Sequence, residues 1–390
     1  HLNIALLLLL PWSWFSSSLT AQPVSNHGNK FEQLGHLLPP SNSYRGADGA
    51  PGPDYWQQRC DYDIECTLDV EERRLDGTEL ITYYNQSPNT LRYLWLQLDE
   101  NQHSPENDNQ YFDPSSIQPT MSEAQVRGLE PARDKEKYGF KIEEVTDAYG
   151  EDLRYTINQT MMRVDLPEPL KPGETFFFRI SWHYYLIDRI DVATIAGNSA
   201  TNLARGGYEY FPDDGNNIFT IAQWYPRLCV YSDFEGWQNK QFTGRGEFAL
   251  TFGNFIVKMT VPADHVVGST GECLNYTTVL TPAQQRRWKE AQQADEPVEI
   301  VTLEEAVANE KREPAGNTKT WIFKADKVRD FAWTASRKFV WDAMSHITEE
   351  GKRVMCMSYY AKEAYPIYSR YSTKAVAHTL KTYSNYSIPY

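Results

Sequence analysis

The chain has 390 residues, 41% of them hydrophobic and 23% charged, with 52 acidic side chains against 38 basic ones. That length suits one large domain or a few ordinary ones, and the apolar fraction is enough for a real core. The formal charge of −14 argues against a nucleic acid as partner, because affinity for a polyanion comes from Lys and Arg. No internal apolar run approaches the roughly 18 residues of a membrane-spanning helix.

The sequence opens on His1 instead of Met, which points to a start inside a longer reading frame. Residues 2–10 (LNIALLLLL) are apolar, and PWSWF and SSSLTAQ follow. This reads as the apolar and cleavage regions of a secretory signal peptide without its basic leader, cut after Ala21. A short buried helix opening a domain is the alternative. Residues 1–21 are therefore expected to direct export, to the periplasm or out of the cell. Residues 22–55, rich in Gly, Pro, Ser and Asn, read as a linker, with folding from Trp56.

From there 11 Trp, 25 Tyr and 17 Phe, with 22 Pro and 22 Gly, favour strands and turns. Tyr62, Ile64, Cys66, Leu68 and Val70 alternate with polar residues, as a half-buried strand requires. Leu75-Asp76-Gly77-Thr78 reads as a turn and 79–85 as the next strand. Further strands are expected over 91–98, 139–145, 154–166, 175–185, 248–261, 265–271, 319–325 and 331–339. Turns are expected at 171–174 and 212–215. Residues 99–136 read as loop with a short helix from Ser122. Residues 281–313 read as a solvated helical insertion, with Thr281 as cap and Pro282 at the first helical position. After a strand at 355–360, Tyr365, Tyr368, Ala375, Val376, Thr379, Leu380 and Tyr383 recur at helical spacing. The reading is mainly β: a large antiparallel domain over 56–345, and a second domain starting at 346 and cut off at Tyr390.

The five cysteines, Cys60, Cys66, Cys229, Cys273 and Cys356, are odd in number. Cys60 and Cys66 fall in one strand, about 20 Å apart at 3.3 Å per residue, too far to bridge. The eight histidines form no HxH, HxxxH or HExxH; the nearest run is His346-Ile347-Thr348-Glu349-Glu350. There is no GxSxG elbow and no phosphate-cradling loop, and Gly244-Arg245-Gly246 is too short for a dinucleotide motif. Acid pairs such as Asp213-Asp214 and Glu143-Glu144 read as solvated faces. No self-sufficient catalytic constellation is present. The densest segment, 208–237, sets eight aromatics besides Trp237 around Gln223 and Arg227. It reads either as an aromatic sheet core or as a stacking rim for a peptide or sugar. The sequons at Asn158, Asn275 and Asn385 matter only in a host that glycosylates.

The blocks AQWYPRLCVYSDFEGW, QFTGRGEF (241–248) and VPAD (261–264) resemble the amino-terminal domain of aminopeptidase N-like zinc metallopeptidases. So do Tyr62-Asp63-Ile64, Leu91-Arg92-Tyr93-Leu94-Trp95-Leu96 and Val328-Arg329-Asp330-Phe331-Ala332. The likeness runs over about 55–390. It implies a saddle-like β domain ahead of a thermolysin-like catalytic domain, with a peptide as substrate. It also implies a zinc site of HExxH and a later Glu, none of which this chain carries, so the chain alone is expected to hold no metal and to be inactive. In the family the β domain lends one wall of the pocket for the substrate amine, through TQ-x-[Glu/Gln]. Gln223 matches that Gln, whereas Tyr225 stands where the acid or amide is found, and a phenol cannot neutralise an ammonium. The competing reading is a secreted, non-catalytic β module that binds glycan or protein through an aromatic surface.

Overall fold

The computed structural model describes residues 41–107, 120, 123, 137–189, 205–242 and 248–390. The signal-peptide reading, the first part of the linker, the helix from Ser122 and the Gly244–Gly246 run lie outside the described residues. The chain divides into two compact units: His1–Tyr55 with Asp233–Glu235, and Trp56–Ser232 with Gly236–Tyr390. In the first, the Arg45 guanidinium grips Asp233 at 2.8 Å and lies over the rings of Tyr55 and Phe234.

The second unit is built from strands β1 (Arg59–Asp69), β2 (Arg74–Tyr84), β3 (Leu91–Gln97), β4 (Lys141–Asp147), β5 (Tyr155–Asn158), β6 (Met161–Leu170), β7 (Thr175–Tyr185), β8 (Gly207–Phe211), β9 (Asn216–Ile221) and β10 (Arg227–Leu228). It continues through β11 (Tyr231–Ser232), β12 (Gly236–Trp237), β13 (Gly253–Pro262), β14 (Val266–Ser269), β15 (Glu272–Cys273), β16 (Val298–Val301), β17 (Thr318–Val328), β18 (Trp333–Ser336), β19 (Phe339–Ile347) and β20 (Arg353–Ala361). The largest sheet has seven strands in the order β15-β17-β13-β1-β2-β7-β4, antiparallel except where β1 meets β13. Two four-stranded sheets, β10-β3-β6-β5 and β14-β18-β9-β8, and a three-stranded one, β16-β19-β20, complete the architecture with the β11-β12 hairpin. The mainly antiparallel β fold is as expected. One contiguous core joins the inner faces, with Trp182, Trp224, Trp321 and Trp341 wholly buried.

Alternation explains β1: Tyr62, Ile64, Cys66 and Leu68 turn inward while the acids between them face out. Cys60 and Cys66 are buried in that one strand, and all five cysteines are unpaired. The turn out of β1 comes earlier than expected. Asp69 Oδ1 accepts from the amides of Glu71 and Glu72, and Arg73 takes a left-handed φ of 54°. Leu75-Asp76-Gly77-Thr78 is thus not a turn but the first half of β2. Gly77 is there for packing: a Cβ would sit 2.3 Å from the Trp182 ring, which crosses the sheet edge-on to Phe140 and Trp224. Gly77→Ala is expected to cost about 1–3 kcal/mol by overpacking. A wild-type urea midpoint in that variant would dissociate Gly77 from Trp182.

The span 154–166 is likewise two strands, β5 and β6, hinged at Gln159 with φ 53°. The segment expected as a solvated insertion holds the helices Pro282–Ala291 and Leu303–Glu310, each opened by a capping box, at Thr281/Gln284 and Thr302/Glu305. It packs on the core instead, with Ala291, Ile300 and Ala306 buried. Between them lies β16, a strand that periodicity over four residues does not announce. The helix Tyr365–Tyr386 forms where expected, but its buried positions are Thr373 and Ala377. Tyr368, Val376 and Tyr383, on the predicted apolar face, are exposed. No described helix is long and apolar enough to cross a membrane.

Candidate functional site

β9 runs antiparallel to β18 with Ile221 opposite Trp333. Just past that pairing Gln223 adopts a left-handed φ of 57°, a conformation that costs a non-glycine residue about 1 kcal/mol or more. Gln223 is 8% exposed, and among the described residues its side-chain amide makes no hydrogen bond. The amide is thus a group on a mostly buried residue that still reaches water, held on a strained backbone and left open to an outside partner.

The next residues anchor it. Trp224 is fully buried and its Nε1 donates to the Phe331 carbonyl at 2.8 Å. Tyr225, also buried, packs edge-on against Tyr62 and Trp224, and its hydroxyl donates to Asp330 Oδ1 at 3.0 Å. Burial, and then the Asp330 charge, pushes the Tyr225 phenol up. Arg227 donates from Nε and Nη2 to Asp99 Oδ2, at 3.1 and 2.7 Å, and from Nη1 to Asp330 Oδ2 at 2.7 Å. Burial opposes its charge, but Asp99 and Asp330 outweigh that and raise its pKa. Burial holds Asp99 above the usual carboxylate range, only partly offset by Arg227. The neighbouring Glu100 carboxyl is pushed up to about 8 by burial and then by Asp99. Gln97 Nε2 and Asp99 Oδ1 are buried without a hydrogen-bond partner.

The two residues singled out from the sequence thus lie in one strip, but in different roles. Gln223 keeps its amide unengaged among the described residues, whereas the Tyr225 phenol turns into the core and is taken up by Asp330. Arg227 stood out with them. Asp99 and Asp330 did not, because they lie 128 and 103 residues from the arginine they hold and carry no local signal. The aromatics of 208–237 mostly form core: Tyr208, Phe219, Trp224 and Tyr225 are buried, while Tyr210 and Phe234 are exposed.

Metal-binding chemistry is represented among the described residues by the carboxylates of Asp214, Glu310 and Glu363, whose oxygens lie within 4.8 Å of one another. This group does not suit zinc, which is held through His and Cys with few carboxylates. Its centre is also taken by two ammoniums. Lys338 Nζ bonds Asp214 and lies 3.1 Å from Glu363, and Lys362 Nζ bonds Glu310. His183 pairs with Glu143 and His265 with Asp264, in separate places, and His346 sits on β19, not on a helix. No step of zinc chemistry is therefore assigned to these residues.

No protein-family model and no curated protein matches the chain. Solved structures of M1 zinc metallopeptidases are similar to it. A two-domain enzyme of that class bound to L-tryptophan shares 14% identity at a TM-score of 0.45, over 87% of this chain and 56% of its own. One from Deinococcus radiodurans bound to a Tyr-Ser-Ala substrate shares 14% at 0.45, over 86% and 54%. A further Deinococcus radiodurans structure shares 13% at 0.46, over 87% and 55%. The chain spans just over half the length of each.

Proposed function

We propose that the chain is the amino-terminal part of an exported zinc metallopeptidase of aminopeptidase type. In this reading the zinc and the water it activates belong to a catalytic domain outside the 390 residues, and the β domain meets the amino end of a peptide substrate. The observation that carries the reading is Gln223: the residue that matches the family's amine-pocket Gln sits at a mostly buried position on a left-handed backbone, and its amide makes no hydrogen bond among the described residues. Such an amide can donate to a substrate carbonyl or accept from its amine. The chain by itself is inactive and retains no stoichiometric zinc.

The test is made on the complete gene product, exported from its host and assayed on an aminoacyl 4-nitroanilide. Turnover should be abolished by 1,10-phenanthroline and restored by zinc. Gln223→Ala should raise KM about tenfold or more, the loss of one hydrogen bond to a charged group. A product without chelator-sensitive turnover would withdraw the proposal.

A further inference from the structure

The Tyr225 phenol leaves the strip without the acid that an ammonium ligand needs, yet a carboxylate reaches it from elsewhere in the chain. The β9–β18 register, the Trp224–Phe331 bond and the Tyr225–Asp330 bond set residues 223–225 beside residues 330–331. Asp330 is well held there. Its Oδ1 accepts from Tyr225 and from the Phe331 amide at 2.8 Å, and its Oδ2 from Arg227. Arg227 is nevertheless one cation between two carboxylates, and among the described residues no other cation pairs with either. The unit thus has one negative charge in excess. The Arg227 and Asp99 side chains are 7% and 0% exposed, whereas that of Asp330 is 40% exposed. The excess charge can therefore be met from outside only at Asp330. A partly desolvated carboxylate fixed by three donors is a preorganised acceptor for a cation.

We propose that Asp330 is a specificity-determining residue of this site, its carboxylate holding the cationic amino end of a peptide whose adjoining polar group is met by Gln223. The proposal rests on the peptide reading above and adds to it the source of the negative charge. Asp330 would do from a distant segment what the residue at position 225 cannot.

The test is isothermal titration calorimetry of the chain with tri-alanine amide, free at its amino end or N-acetylated. The wild type should prefer the free-amine peptide. Asp330→Asn, which keeps oxygen and shape but removes the charge, should weaken the free-amine peptide about tenfold or more and leave the acetylated one unchanged. Asp330→Glu should restore the preference, which a merely structural role would not predict, and thermal unfolding of each variant reports whether the strip still folds. An unchanged preference in a folded Asp330→Asn protein overturns the assignment while the peptide reading stands. Failure of the wild type to bind either peptide withdraws the peptide reading, and this assignment with it.

Discussion

Replacing Lys338 with Met should destabilise the β unit by about 3–5 kcal/mol, the range seen when one partner of a buried ion pair is removed. Lys338 is fully buried, as is the side chain of Glu310 that faces it at 3.4 Å. Its ammonium draws together the β8–β9 turn through Asp214, the end of the helix Leu303–Glu310, and the start of the C-terminal helical region through Glu363. Burial alone would raise the Asp214 pKa, but hydrogen bonds from Lys338 and Asn216 overcome it and hold the carboxyl below the usual range. Without Lys338, three carboxylates share the single ammonium of Lys362. The loss is therefore an uncompensated charge more than a missing contact, and that distinction can be measured. Adding Glu310→Gln to Lys338→Met should recover a large part of the stability in urea unfolding, because it removes one of the two carboxylate charges that Lys362 cannot balance. A double variant as unstable as the sum of the two single ones would show that the residues are not coupled.

That cluster also marks where sequence reading runs out. Asp214, Glu310, Lys338 and Glu363 come from four separate segments, and each alone looks like a solvated charge. The same holds for Asp99 and Asp330 around Arg227. What was legible is what depends on near neighbours: the inward Tyr62, Ile64, Cys66 and Leu68 of β1, the whole of β7, the turns at 171–174 and 212–215, and the Thr281 cap with Pro282 behind it. Local signals misled where packing overrode them. Asp76-Gly77 has turn chemistry, but the glycine is needed for a tryptophan from β7. The spacing of Tyr368, Val376 and Tyr383 does form a helix, yet spacing does not say which face a neighbour covers. Gln223 could be singled out from its place in a motif, but not its left-handed backbone, because glutamine has no preference for that region.

Glu79 provides a second large effect, opposite in sign. It occupies an inward position of β2, between Ile64 of β1 and Ile180 of β7, and is wholly buried. Neither carboxyl oxygen has a hydrogen-bond partner, and no described cation pairs with it. Burial accordingly pushes its pKa well above the ordinary 4.5. The folded state holds this proton more tightly than the unfolded chain does, so the group stabilises below the unfolded pKa, and that stability is lost as pH rises toward the folded value. Glu100, pushed up to about 8, acts in the same direction. Wild-type stability should therefore fall from about pH 4.5 upward, each such group adding a slope of up to about 1.4 kcal/mol per pH unit until its own folded pKa is reached. Glu79→Gln removes the ionisation but keeps the shape. It should leave stability near pH 4 within about 1 kcal/mol of wild type and make the protein increasingly more stable than wild type as pH rises above about 4.5. The decisive quantity is the difference in unfolding free energy between variant and wild type across that range. A difference independent of pH would mean that Glu79 ionises in the fold as it does in water, and that a partner reaches its carboxylate.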